Sequence, residues 1–82
     1  MTPGEFIDHV VTLKSLKNDS ALCRALEISP AELSRVRNGG KPMGAVNILR
    51  FHALTGMAIS EMCSMLRGHL ARPLDKWSVP NE

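Results

Sequence analysis

Apolar positions recur along the chain at helical spacing, and polar or turn-forming residues divide them into five segments. The clearest pattern is the last, where Ile59, Met62, Cys63 and Leu66 stand at positions i, i+3, i+4 and i+7. No strand-type alternation and no internal repeat interrupts these segments. The chain is therefore predicted to be all-α, with helices over roughly 3–16, 20–26, 30–37, 44–55 and 59–67.

Two of these helices open with the same start signal. Thr2 and Ser29 are each followed by a proline and, three positions on, by a glutamate. This order predicts an N-cap, a proline at the first helical position, and a capping box in which the glutamate bonds back to the cap residue. Asp19 or Ser20 is the candidate cap of the second helix. Asn38, followed by two glycines, is expected to end the third.

The second and third predicted helices are short and are joined by a tight link of three residues, 27–29. Helices this short can pack only a few residues against each other. The third helix is therefore expected to bury one edge, Leu33 and Val36, and to expose the rest. That arrangement is typical of a helix-turn-helix, whose second helix enters the DNA major groove. The shared apolar set is Leu22, Cys23, Leu26, Ile28, Leu33 and Val36, and the fourth helix adds Val46, Ile48, Leu49, Phe51 and Leu54.

Composition narrows the choice of partners. The 82 residues predict a single domain, and 44% hydrophobic residues are enough for a core. An aromatic share of 4% argues against a stacking surface for single-stranded nucleic acid. The net charge is only +2, but the positive excess is local, because residues 30–50 carry Arg35, Arg37, Lys41 and Arg50 against Glu32 alone. A basic patch of this kind indicates either a polyanionic partner or an ordinary solvated surface.

Residues that could support other chemistry are scattered. Cys23 and Cys63 lie inside apolar helical patterns and in no metal-type spacing, so buried thiols in a reducing cytosol are predicted. His9, His52 and His69 share no ligand spacing with them. No carboxylate pair, catalytic triad or phosphate-binding loop is visible, and no apolar run approaches the ~20 residues that span a bilayer. We expect a cytoplasmic protein that is not an enzyme and needs neither metal nor cofactor.

The stretch 21–42, ALCRALEISPAELSRVRNGGKP, resembles the helix-turn-helix of the lambda-repressor/Cro-like (XRE-type) DNA-binding family. Its 33–39 segment, LSRVRNG, matches the family ending of that motif, and the similarity extends over about residues 6–67. Cys23 stands at a position that is usually alanine, and His52 and Thr55 depart from the pattern near the fourth helix. Glu27 stands where the family usually has a turn glycine. The resemblance therefore implies a non-glycine residue at positive φ, at a cost of about 1 kcal/mol.

The resemblance implies a five-helix lambda-repressor-like DNA-binding domain over 1–68, followed by an extended tail over 69–82. Trp77 in that tail would pack back on the bundle or against a partner subunit. By the family pattern, base edges would meet Arg35 above all, since a guanidinium can pair bidentately with guanine. The full set of implied base contacts is Pro30, Ala31, Glu32, Ser34 and Arg35, and the implied phosphate contacts are Ser20, Arg37, Asn38 and Lys41.

Two functions remain open at this point. The resemblance implies a sequence-specific transcriptional regulator, a Cro-like or antitoxin-like repressor that binds palindromic double-stranded DNA as a homodimer. An antitoxin-like member would also have a toxin or another protein as partner. The alternative is a protein-interaction or dimerisation module that keeps the fold without binding DNA. The modest net charge and a glutamate on the presented helix favour that alternative.

Overall fold

The computed structural model of the chain describes residues 1–72. Over that range the chain forms helices and no strand, which confirms the all-α prediction. None of the helices in this range is long and apolar enough to cross a membrane. The five helices are α1 (Pro3–Leu13), α2 (Asp19–Leu26), α3 (Pro30–Arg37), α4 (Ala45–Thr55) and α5 (Ile59–Met65).

The helix starts follow the predicted signals with two corrections. At α1 the capping box is complete, because the Glu5 N–H donates to Thr2 Oγ1 at 3.1 Å and the Thr2 N–H donates to Glu5 Oε1 at 2.8 Å. At α3 only half of the box forms: the Glu32 N–H donates to Ser29 Oγ at 3.1 Å, but the Glu32 carboxylate turns away to other partners. The prediction of a full box at α3 is therefore wrong.

The cap of α2 was also predicted wrongly. Asn18, and neither Asp19 nor Ser20, is the N-cap, and its Oδ1 accepts a hydrogen bond of 2.9 Å from the Ala21 N–H. Asp19 is the first residue of the helix, where its carboxylate is held by an arginine of α3. Asparagine is as good an N-cap residue as aspartate. Asn18 can therefore cap the helix, and the carboxylate of Asp19 remains available for an ion pair.

Helices α1 and α5 end at other residues than the sequence predicts. α1 stops at Leu13, three residues earlier than predicted, and Ser15 then takes a positive φ of 53°. α2 ends at Leu26, and its C-cap residue Glu27 has a φ of 61°, which lies in the left-handed region. The positive φ implied for Glu27 is therefore confirmed. α5 stops at Met65, two residues short of its predicted end.

The core is built from all five helices around one aromatic contact. Phe6 of α1 and Phe51 of α4 meet edge to face, with ring centroids 5.1 Å apart. α1 packs against α3, α2 against α3 and α4, and α4 against α5. Cys23 and Cys63 are free and buried as predicted, and burial raises the pKa of both thiols. The buried apolar set is Phe6, Ile7, Val10, Leu22, Cys23, Leu26, Leu33, Val36, Met43, Ile48, Phe51, Met62, Cys63, Leu66 and Leu70.

The first residues after α5 return to the body of the fold. The Met43 N–H donates to the His69 carbonyl at 2.9 Å, and the Ala71 N–H donates to the Met43 carbonyl at 2.9 Å. This single parallel bridge places Leu70 in the core beside the loop between α3 and α4. The start of the predicted tail thus fixes the loop from which α4 begins. The tail residue Trp77 lies outside the described residues.

Candidate nucleic-acid interface

Helix α3 is attached to the protein by one edge. Leu33 and Val36 are 2% and 1% exposed, and they pack into the core between α1 and α2. The proline at position 30 and the Ser29 cap fix the start of the helix, and Asn38 ends it. The residues that the resemblance assigned to base contact divide accordingly. Pro30, Ala31, Ser34 and Arg35 are exposed, whereas Glu32 is half-buried.

Arg35 is the free cation of this helix. It is exposed, and its guanidinium forms no hydrogen bond or salt bridge with any residue in 1–72. Its five N–H donors can therefore bind an acceptor outside the protein. Ser34, one residue earlier, lies within 3.4 Å of Asn38, whose Nδ2 donates to the Ser34 hydroxyl. This long contact leaves the hydroxyl hydrogen of Ser34 available.

Arg37, two residues after Arg35, binds to carboxylates of the same protein. Its Nε and Nη2 donate to the two carboxylate oxygens of Asp19 at 2.9 Å each, and its Nη1 lies 2.9 Å from Asp8 Oδ1. The hydrogen bonds to Asp19, followed by those to Asp8, raise the pKa of Arg37. The guanidinium thus joins the end of α3 to the start of α2 and to α1. Arg37 was predicted to contact phosphate, and its internal bonds are the reason to leave it out of the proposed contacts.

The carboxylate of Glu32 is bound by two side chains from outside α3, those of Asn47 and Lys41. Asn47 of α4 donates from Nδ2 to Glu32 Oε2 at 3.1 Å, and Lys41 Nζ lies 3.3 Å from the same oxygen. The hydrogen bond from Asn47 and the neighbouring Lys41 lower the pKa of Glu32, which keeps its carboxylate ionised. Asn47 is itself only 4% exposed. Glu32 therefore serves to hold Lys41 and α4 beside α3.

The local positive excess counted along the sequence is largely cancelled in space. Arg37 and Lys41 are paired as described. Arg50 donates from Nη1 to the carbonyls of Leu26 and Glu27 at 2.8 and 3.1 Å, and the same atom lies 3.8 Å from Glu27 Oε1. Within 1–72, Arg35 is thus the one cation of the 30–50 segment without such a bond. Three of the acids responsible, Asp8, Asp19 and Glu27, come from α1 and from the two ends of α2, so a count over the 30–50 segment could not include them. The fourth, Glu32, was part of that count.

The predicted phosphate contacts surround α3 at different depths. Ser20 is exposed in the first turn of α2, and the Arg37–Asp19 pair holds that turn against the end of α3. Asn38 is exposed directly after α3, and Lys41 is half-buried in the loop that follows. Nothing in the sequence indicated that Asp8 and Asp19 bind Arg37 or that Asn47 binds Glu32. These bonds hold α3 and its loop in place. No set of three metal-ligating side chains occurs within 1–72.

Comparisons with protein-family models, with curated proteins and with solved structures each found no match to this chain.

Proposed function

We propose that the protein is a sequence-specific DNA-binding regulator with a lambda-repressor-like helix-turn-helix, in which α3 enters the major groove. The observation that carries the proposal is the combination of a firmly anchored α3 with an exposed Arg35 that has no partner within the described residues. A rigid helix that presents a free guanidinium suits readout of base edges. In the cytoplasm such a domain would repress by occupying a palindromic operator as a dimer.

Base readout would come from three side chains. Arg35 would pair with O6 and N7 of a guanine, Ala31 would touch a thymine methyl group, and Ser34 would donate to an acceptor on either base. Pro30 would contribute shape only, since it has no N–H and no polar side chain. Glu32 would act indirectly, because its carboxylate is already bound by Asn47 and Lys41.

Phosphate contacts would position the helix on the duplex. Ser20, Asn38 and Lys41 are exposed or half-buried around α3, and each can donate a hydrogen bond. Lys41 Nζ lies 3.3 Å from Glu32 Oε2, and the two side chains are 43% and 29% exposed. Water still reaches this pair, so the lysine can exchange the carboxylate for a phosphate. Binding should therefore weaken with salt in proportion to the number of such contacts.

The test is selection of bound duplexes from a random DNA pool, followed by mobility shifts over a salt series. Arg35→Ala should cost about 1–3 kcal/mol on the selected site and relax one base position. Lys41→Ala should weaken all sequences alike and reduce the salt slope by about 1. Arg67→Ala, at an exposed arginine after α5, is the matched control and should change neither. Absence of an enriched sequence, or a loss for Arg35→Ala that ignores sequence, would refute the proposal.

A second candidate is a protein-interaction module without DNA binding. The observation that favours it is the pairing of Arg37, Lys41 and Arg50 with carboxylates, which leaves little free positive charge near α3. Heparin chromatography and titration with non-specific duplex at low salt separate the two candidates. Failure to bind either polyanion would favour the interaction module.

A further inference from the structure

Helix α4 has a solvent face that is apolar except for His52. Its exposed positions are defined here as the α4 outer face: Ala45, Val46, Leu49, His52 and Ala53. Val46 is 62% exposed and Leu49 is 54% exposed, and they stand three residues apart on neighbouring turns. The opposite side of the helix carries Ile48 and Phe51, which are buried in the core. A helix that is apolar on both sides is normally covered on both sides.

One border of the α4 outer face carries an acid and a base side by side. Arg50 Nη1 and Glu27 Oε1 lie 3.8 Å apart there, with side chains 38% and 83% exposed. The outer face itself carries no Lys, Arg, Asp or Glu. Next to this border, Ala25, Ala53 and Leu54 line an open groove of about 330 Å³ between α2 and α4. The surface thus consists of an apolar centre with one acid and one base at its edge.

We propose that the α4 outer face is the surface on which two copies of this chain associate about a two-fold axis. A face with one acid and one base at its border is complementary to itself when the two-fold axis passes through that border, because each Arg50 then lies towards Glu27 of the second copy. A partner with strong charge of one sign would meet a neutral border and gain less. Ala45 and Ala53 flank Val46 and Leu49, and their small side chains allow the two α4 helices to approach closely.

The position of this face agrees with the proposed function, on which this one step rests. Asn47, in the first turn of α4, donates to Glu32 of α3, so the outer face begins beside the presented helix. Because a two-fold axis relates equivalent positions, the two α3 helices of such a dimer lie at the same height along the axis. Palindromic sites require that arrangement, with the two helices about 34 Å apart.

The expected association is weak. Two large side chains with small neighbours cover much less than the ~800 Å² per partner that stable interfaces bury. We therefore expect a dissociation constant on the order of 10–100 μM for the free protein. DNA with two half-sites would raise the population of the dimer by holding two copies together.

Sedimentation equilibrium on the whole chain, without DNA, tests the surface. The double variant Val46→Gln, Leu49→Gln should weaken association at least about tenfold, because two central apolar groups are lost. Leu13→Gln is the matched control, since Leu13 ends α1 with 51% exposure, and it should associate like the wild type. Wild-type protein that stays monomeric up to about 1 mM, or a control that weakens association as much as the double variant, would overturn the proposal.

A second measurement does not depend on how well the double variant folds. Leu49→Cys should form a disulfide-linked dimer under mild oxidation, whereas Leu13→Cys should not. Cys23 and Cys63 are buried, which keeps the native thiols out of the reaction. Equal crosslinking at positions 13 and 49 would contradict the proposed interface.

The outcome also separates this inference from the proposed function. Binding to a duplex with one half-site does not require the α4 outer face, so the double variant should bind it like the wild type. A protein that dimerises through this face but binds no DNA would support the interface and refute the regulator. A protein that binds half-site DNA but never associates would support the regulator and refute the interface.

Discussion

Replacing Arg37 by methionine removes the side chain that joins three helices, and we expect a loss of about 1.5–2.5 kcal/mol in the free energy of unfolding. Methionine keeps the apolar stem of the side chain and deletes only the guanidinium. The two bonds to Asp19 are charge-assisted, at 2.9 Å each, and the Arg37 side chain is only 27% exposed. Bonds of this kind contribute about 1.5–3 kcal/mol when water is excluded.

Solvent around the acids reduces that figure. The Asp19 side chain is 46% exposed, so water partly replaces the arginine when it is lost. The Asp8 side chain is 69% exposed, and its pair with Arg37 should add little, within the ~0–1 kcal/mol of surface ion pairs. For a domain of this size the expected loss lowers the melting temperature by on the order of 10 °C.

The pKa of Arg37 is raised by its bonds to Asp19, which sets the sign of the pH dependence. A raised pKa means that the stabilisation is fully present below the ordinary pKa of arginine and is lost only as pH rises through the raised value. The effect of Arg37→Met should therefore be constant across neutral pH.

The assay is urea unfolding followed by circular dichroism, with Arg35→Met as the matched control on the same helix. Arg35 has no partner within the described residues, so its replacement should change stability by less than about 0.5 kcal/mol. The two variants should then affect different properties. Arg35→Met should impair the proposed DNA binding, and Arg37→Met should lower the free energy of unfolding. A cycle with Asp19→Asn should give a coupling energy of about 1–2 kcal/mol. A coupling below about 0.3 kcal/mol, or an Arg37→Met variant as stable as the wild type, would show that Arg37 does not join the three helices energetically.

Three further changes test other parts of the fold. Glu27→Gly should raise stability by about 0.5–1 kcal/mol by relieving the positive φ of 61°, and an unchanged urea midpoint would show that the contact with Arg50 matters as much as the strain. The pKa of Glu32 lies below its ordinary value of 4.5, chiefly because Asn47 donates to its carboxylate, so its contribution is present above pH 4.5 and is lost as pH falls through the lowered pKa. Glu32→Gln should therefore flatten the loss of stability in acid, and an acid unfolding profile identical to that of the wild type would contradict this. Phe51→Ala should cost about 3–5 kcal/mol and remove most of the cooperative thermal transition, and a variant that melts like the wild type would contradict its place at the centre of the core.

Much of the fold could be predicted because its signals are local. The start of α1 depends on Thr2, Pro3 and Glu5, which all lie within one turn, and the complete capping box formed as expected. The positive φ of Glu27 followed from the resemblance, because Glu27 stands where that family usually has a turn glycine. The buried set of α2 and α3 followed from spacing, since one face of a helix needs only its period to be identified.

The helical period did not predict which apolar residues of α4 are buried. Val46, Ile48, Leu49 and Phe51 are all apolar, but only Ile48 and Phe51 are buried, and the other two form part of the α4 outer face. α4 has apolar residues on both sides, and its polar Asn47 is itself buried, so no polar stripe indicates which side meets the core. That choice was made by the packing of Phe51 against Phe6 of α1.

Backbone hydrogen bonds and helical period act over a few residues, so the five helices, the N-caps of α1 and α3 and the edge by which α3 is attached can be read from the sequence alone. Which charged side chains are free depends on the folded arrangement. Arg35 and Arg37 look equivalent along the chain, yet Arg37 meets Asp8 and Asp19, 29 and 18 residues earlier, while Arg35 meets no such partner within the described residues. Charges attract through space and not along the chain, so only the folded arrangement separates the arginine that holds the protein together from the one available to a partner.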